Sequence, residues 1–474
     1  IKLRKIFLPQ DKTIFKEILF LSYPVVLSNI SRVLMSMFDV AMVGRLGPEA
    51  LAATGMGGML VWALMSAALG IRTAVQTVAS RRLGQNKEKE SGSSFHNGLI
   101  MATFFGLPIS FFGWVWAKDI VPFFINDPVA TELAIDYTSI AFISLLFSVY
   151  SFVFVGFYTG IEKTKLHMTV TITSNIINLY LNAALIYGSG GIETFFQEVL
   201  PQVSFLSILW KWTSFPALGV KGAAIATLIA SGWMVFHYSV FLFSKGIKNR
   251  FNIFSVSIDK SMMNRQIQLA APMGLQEAII AFGWTMFMKI VGIIGIVELA
   301  TTHVVFTIIH ASFMPAMGVG MACSTLVSKY MGEKKIEKSV SSIKESVRLA
   351  EYGMGLLGLT FIFFPRFYLS IFTNDVSIIE MGVFGLRVAG ALQFLDAIGF
   401  VLMFALTGAG NTVFPAIVDS VSTWVVVVGG TYFFAVYLGF GFIVPWLLFP
   451  LHMFIFAGAM TWKVYKGDWK EIEV

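Results

Sequence analysis

The sequence predicts an all-α membrane protein of about twelve transmembrane helices, arranged as two six-helix repeats. Composition is the first reason. Hydrophobic residues are 56% of the chain and charged residues 13%, with a mean hydropathy of +0.77. Soluble domains carry roughly a quarter charged residues. The second reason is internal repetition at one constant offset of 248 residues. Tyr23-Pro24 recurs as Ala271-Pro272, and Ser80 to Gly84 recurs as Ser328 to Gly332. Asn126-Asp127 recurs as Asn374-Asp375, and Thr159-Gly160 as Thr407-Gly408. No gap interrupts the register, so the halves are like-oriented bundles.

The apolar segments fall at 17–44, 50–79, 96–117, 134–160, 166–187, 219–244, 266–295, 300–328, 347–372, 381–407, 413–437 and 442–462. Each is long enough to cross ~30 Å of hydrocarbon. Spans 1 to 6 define an N-lobe over residues 1–244, and spans 7 to 12 a C-lobe over 266–474. The charged segment 245–265 links them as a loop on the inner side. Residues 188–216 are an insertion between spans 5 and 6, where Trp210 and Trp212 suggest an amphipathic piece on the outer surface or a plain extended loop.

The net charge of +7 is a topology signal. With the N-terminus inside, inner segments hold 25 of the 34 Lys and Arg, and outer loops hold five: Arg45, Lys118, Lys211, Lys221 and Arg366. That bias places both termini in the cytoplasm of a multi-pass protein of the inner or plasma membrane. No cleavable signal peptide is expected, since the basic N-terminal stretch leads into a full-length span. Nucleic acid is excluded as the partner of this charge, and the bilayer takes its place. The single cysteine, Cys323, excludes internal disulfides and Cys-based metal clusters. No phosphate-binding Gly-rich loop is present, so ATP does not power this chain. An integral membrane enzyme is disfavoured too, because the six His form no HExxH or tight cluster.

Ionisable residues inside spans are costly and mark function by default. Asp39 lies near the outer end of span 1, and its repeat counterpart is Phe287, so the acid belongs to one lobe and not to the shared scaffold. Span 5 carries Asn175, Asn178 and Asn182. Residues 178 and 182, four apart, share a helix face. Their amides suit either a cation or a protonated acid, or join helices together. Thr227 lies on a small-residue face of span 6, where packing is the commoner role. Arg32 stands two turns below Asp39 near the same face, Arg72 lies in span 2, and Lys289 is close to the outer end of span 7. Two readings stand for these bases, as counter-ions for the buried acids or as the wall of an anion-accepting cavity. His303 and His310 share a face of span 8, as packing groups or as titrating ones.

Asp39 before Val43-Gly44, then Leu46-Gly47 and Ala50-Leu51-Ala52-Ala53, resembles the first span and loop of the multidrug and toxic compound extrusion (MATE) family. So do Asn178 and Asn182 after Thr159-Gly160, and Leu218-Gly219 before Gly222-Ala223-Ala224. The resemblance covers roughly residues 15 to 460. It implies two six-helix bundles set in a V, exchanging substrate for H⁺ or Na⁺. It assigns an N-lobe cation site to Asp39, Asn178, Asn182 and Thr227. In the C-lobe it points to Asp396, which precedes Thr407-Gly408. Several members carry a span 7 glutamate where this chain has Ile280. Glu277 lies one turn away, either as its substitute or as an acid reaching the inner surface.

The expectation is therefore a monomeric multidrug efflux antiporter working by alternating access, with no cofactor. Its substrates would be organic, mostly cationic or amphipathic drugs or toxic metabolites. An exporter or flippase of lipid-linked or anionic substrates is the alternative. Na⁺, if it couples, would sit at Asp39 or Asp396. The residues favour H⁺: a lone carboxylate in apolar surroundings suffices for a proton, whereas Na⁺ wants roughly six oxygens.

Overall fold

A computed structural model describes residues 8–474 except 126, 200, 213, 256, 257 and 374. The repeat landmarks Asn126 and Asn374 thus lie outside the described residues. Every regular element among the described residues is helical. Eleven helices are long and apolar enough to cross a membrane, and a twelfth span is a pair bent by 86°. They are α1 Lys12–Gly44, α2 Pro48–Gly84, α3 Glu88–Phe123, α4 Pro128–Gly160, α5 Thr164–Thr194 and α6 Gly219–Leu242. The second set is α7 Lys260–Ile294, α8 Ile296–Gly332, the bent α9 Ile336–Phe363 with Pro365–Phe372, α10 Val376–Ala409, α11 Val413–Tyr437 and α12 Ile443–Lys466.

The repeat is visible in the helix ends. Asp11 caps α1 by accepting from Thr13 N and Ile14 N at 3.0 and 3.1 Å, and Asp259, 248 residues on, caps α7 through Met262 N at 3.1 Å. Asp127 caps α4 through Ala130 N at 2.7 Å, and its counterpart Asp375 caps α10 through Ser377 N at 2.8 Å. Each carboxylate satisfies amides that the first turn leaves without a partner. Pro24 and Pro272 interrupt α1 and α7 at equivalent points.

Between α6 and α7, among the described residues, a one-turn helix, Lys245–Lys248, precedes the start of α7 at Lys260. α5 kinks at Gly188, with φ 66°, and the insertion beyond it includes a 3₁₀ segment, Pro201–Trp210. Trp210 folds back on α5, donating from Nε1 to Tyr180 O at 2.9 Å and stacking on the Tyr180 ring. The last helical turns of α11 are π-helical, over Thr423–Gly429 and Thr431–Tyr437.

The two lobes converge at the lysine-rich end through α2 and α8, and the contact is nearly two-fold. Ser80 Oγ donates to Thr325 O at 2.6 Å, and its repeat mate Ser328 Oγ donates to Thr77 O at 2.8 Å. Thr77 Oγ1 donates to Thr407 O at 3.2 Å, and its mate Thr325 Oγ1 to Thr159 O at 3.3 Å. Gly84 lies on the Lys329 backbone and Gly332 on the Arg81 backbone, so close that a Cβ on either would overlap a carbonyl oxygen. Gln76 Nε2 adds bonds to Met321 O (2.9 Å) and Thr325 Oγ1 (3.0 Å). Small and hydroxylic residues are what allow helices in lipid to approach this closely.

Arg81 departs from the symmetry. Its guanidinium donates to Ala409 O at 3.1 Å and to Ile472 O at 3.0 Å, tying α2 to α10 and to the segment after α12. Nearby, Lys329 Nζ lies 2.7 Å from Glu162 Oε1, and the Tyr330 hydroxyl donates to Glu17.

Gly332→Val should push α8 off α2 and loosen this end while leaving each bundle folded. Cysteine probes at this seam should label at least about tenfold faster than in the parent chain, since a valine Cβ and its methyls cannot share space with a carbonyl. Unchanged labelling of a well-folded variant would show that the glycine contact is not what closes the seam.

Candidate functional site

The N-lobe site is built by one helix repeat distance. Asn178 and Asn182 stand one turn apart on α5, which packs along α1. Asn182 Nδ2 donates to Asp39 Oδ1 and also to Asn178 Oδ1 at 3.2 Å. Asn178 and Asn182 are buried, while Asp39 is only half-buried. Asn182 Oδ1 is enclosed with no partner among the described residues. The Tyr137 ring of α4 lies within electrostatic reach of Asp39, a neighbour that sequence spacing does not reveal. Lower on α5, Asn175 Nδ2 donates to Ser31 Oγ of α1 at 2.8 Å. Thr227 is on the adjoining α6, but its hydroxyl donates to Ala223 O at 3.0 Å, within its own helix. Three of the four expected residues thus form one hydrogen-bonded set. The equivalent place in the C-lobe is apolar: Phe287 is 2% exposed, with its ring 5.5 Å from Trp284 and 5.7 Å from Phe306.

The C-lobe polar groups form a different pattern. Asp396 of α10 is 1% exposed, and neither carboxylate oxygen has a hydrogen-bond partner among the described residues. Glu277 of α7 is half-buried and lies within electrostatic reach of Arg72 across the lobe seam and of Asp419 on α11. Asp419 accepts from Gln276 Nε2 at 2.8 Å and lies 3.9 Å from His452 Nε2 of α12. Spacing along the chain does not mark Asp419, Gln276 and His452 as neighbours. The rule applied to Asp39 would have found Asp419, an acid inside a span whose repeat counterpart is Thr171.

The bases divide. Among the described residues, Arg32, Arg72 and Lys289 make no ion pair within 4.0 Å, so Arg32 does not reach Asp39. Arg72 lies within electrostatic reach of Arg32 and Glu277. Behind the arginines, buried His167 Nδ1 shares a hydrogen bond with the Tyr238 hydroxyl at 2.7 Å. His303 and His310 are exposed on α8. Cys323 is fully buried. No group of three or more His, Cys, Asp or Glu suited to a metal occurs among the described residues.

The MatE family model matches residues 24–184 and again 272–433, two stretches that begin 248 residues apart. The chain is 25% identical over 458 residues to a probable multidrug resistance protein NorM of Thermotoga maritima, covering 94% of this chain and 91% of that protein. It is 24% identical to the corresponding Listeria innocua protein, covering 96% and 95%. Among solved structures, an outward-facing multidrug resistance MATE transporter superposes with a TM-score of 0.85 at 19% identity, over 97% of both chains. A eukaryotic MATE transporter superposes with a TM-score of 0.80 at 16% identity, again over 97% of both.

Asn182→Ala removes the side chain that hydrogen-bonds both Asp39 and Asn178. Transport should fall at least about tenfold while thermal stability drops by only about 1 kcal/mol, the worth of one or two interhelical bonds in lipid. Parallel transport and melting measurements check this. A large stability loss with full activity in the surviving protein would make the set structural.

Proposed function

We propose that this chain, which belongs to the MatE family of membrane transporters, is a multidrug efflux antiporter. It exports organic, mostly cationic or amphipathic compounds in exchange for H⁺, with Na⁺ as the second choice. The observation that carries the reading is the Asp39–Asn182–Asn178 set, an acid that one lobe alone possesses. Transporters built from repeats bind at the repeat interface and alternate access by rocking one bundle on the other. The lobes, residues 1–244 and 266–474, are the moving bodies, and 245–265 is the linker. The lysine-rich end faces the cytoplasm, with both termini there, and the chain works as a monomer in the inner or plasma membrane.

The chemistry needs no covalent step. A carboxylate in the apolar part of a bilayer is stable with a proton or with a cation, and it attracts an organic cation only when ionised. Proton uptake at Asp39 on the outer side therefore releases a bound cation, and proton loss on the inner side restores the site. Asn182 can meet either form, as donor to the carboxylate or, through its free Oδ1, as acceptor from the acid. Asp396 supports a second ion position. A bare buried carboxylate would cost several kcal/mol, so a proton or cation must occupy it in a stable state. The second reading, export of lipid-linked or anionic substrates, is favoured by the unpaired Arg32 and Arg72.

Three outcomes test the proposal in proteoliposomes. Asp39→Asn should abolish gradient-driven efflux while the protein stays folded; equal transport by parent and variant would sink the assignment. Asp396→Asn should reduce transport less, and a loss as complete as that of Asp39→Asn would reverse the ranking of the lobes. Efflux should run on an imposed pH gradient in sodium-free buffer. Drive by a Na⁺ gradient alone, with no response to pH, would replace H⁺ by Na⁺.

A further inference from the structure

We propose that the start of α1 and the end of α8 form a binding site for the phosphate headgroup of an anionic inner-leaflet lipid, which bridges the two lobes there. The leaflet and the bridging role rest on the orientation and alternation proposed above; the binding itself does not.

A cavity of about 570 Å³ lies between the two helix ends. Ligand pockets run from roughly 300 to 1,000 Å³. Lys12, Lys16 and Phe20, each four residues from the next, line it as one stripe of α1, with Leu21 beside them and Lys329 of α8 opposite. The stripe passes from two charged groups to an aromatic ring that is 60% exposed. That order matches the boundary between headgroups and hydrocarbon. Glu17 and Glu162 complete the lining, and both are engaged. Glu162 pairs with Lys329 at 2.7 Å, and Glu17 accepts from the Tyr330 hydroxyl. Among the described residues Lys12 and Lys16 make no ion pair within 4.0 Å. Three lysines against two glutamates leave one positive charge.

The repeat shows what such a place can hold. At the offset of 248, Lys12, Lys16, Glu17 and Phe20 correspond to Lys260, Asn264, Arg265 and Gln268, while Lys329 and Glu162 correspond to Arg81 and Gly410. There the chain's own residues 472–474 fill the equivalent groove. Arg81 donates to Ile472 O at 3.0 Å, and Arg265 donates to Glu473 O at 2.6 Å. Val474 packs against the buried cluster of Val78, Met262 and Leu269, and a Cβ on Gly410 would meet the side chains of Ile472 and Val474. The occupant thus offers oxygens to the bases and an apolar group to the floor. On the α1 side Leu21 is the mate of Leu269, and lysines stand ready for oxygens. The residues before Leu8 carry Lys2, Arg4 and Lys5, so like charge opposes their use as the occupant. A lipid phosphate with its acyl chains toward Phe20 meets both demands. Held by Lys12 and Lys16 of one lobe and Lys329 of the other, it would keep this end closed.

The test is native mass spectrometry of the purified chain in detergent, titrated with phosphatidylglycerol or phosphatidylcholine. The parent should hold phosphatidylglycerol at least about tenfold more tightly. Lys12→Gln combined with Lys16→Gln should weaken it about 25-fold, roughly fivefold per lysine. The pair Lys12→Arg and Lys16→Arg, which keeps the charge, should stay within about threefold of the parent. Lys245→Gln with Lys260→Gln removes equal charge elsewhere and should change binding less than about twofold. An equal loss in that control would make the effect general surface charge and overturn the site. Glycerol 3-phosphate at matched concentration should not displace the lipid, because it has no acyl chains to meet Phe20; displacement would make the ligand a soluble phosphate and overturn the lipid. Bound phosphatidylglycerol should slow amide exchange across residues 77–84 and 325–332 at least about threefold. Binding with unchanged exchange would overturn the bridging. None of these measurements involves transport, so the efflux assignment at Asp39 stands or falls separately.

Discussion

The joining of the two lobes depends on backbone-to-backbone contact between α2 and α8. Gly84 and Gly332 each lie on the other helix's main chain, and the Ser80 and Ser328 hydroxyls cross to the opposite carbonyls. In lipid there is no hydrophobic gain from pressing two apolar helices together, so close packing and hydrogen bonds must supply the attraction. Each such bond is worth about 0.6 kcal/mol in a membrane. A seam of six or so then holds a few kcal/mol, enough to define a closed end and little enough for ligands to shift. A seam of buried ion pairs or of large interlocked side chains would be harder to reopen.

The same repeat explains where the lobes agree and where they part. Caps, mid-helix prolines and the glycine seam recur at equivalent positions because both bundles need the same starts, bends and close approaches. The chemistry does not recur. Asp39 is matched by Phe287 packed among aromatic rings, and Asp419 is matched by Thr171. An acid inside a span is costly in a way that a Phe or a Thr is not, and each of these two acids stands in one lobe alone. On α1 the acid and the base also stand two turns apart, with Asp39 nearer the Gly44 end than Arg32.

Much of the fold was legible in the residues. Twelve apolar segments and the 248-residue offset follow from local rules of length and spacing, and these act between neighbours in the chain. The pairing of Asn178 with Asn182 was equally readable, because residues four apart on a helix always share a face. Which acid those amides serve was expected only by resemblance, and the structure brings Asp39 to Asn182 across 143 residues of chain.

Other contacts were beyond local reasoning. Spacing could not show that the Thr227 hydroxyl turns back to Ala223, that Tyr137 neighbours Asp39, or that Gln276 and His452 gather at Asp419. It could not decide whether Arg32 neutralises Asp39 either. These outcomes depend on helix rotation and tilt, which a hydrophobic pattern leaves open and which packing against several neighbours settles. The sequence by itself determined about how many apolar helices the chain holds and which residues are costly to bury; most of the helices themselves start earlier than the apolar runs, as at Ile336 against residue 347. Only the tertiary structure decided which of those costly residues meet, since lipid and protein are alike to an apolar face but not to a charge.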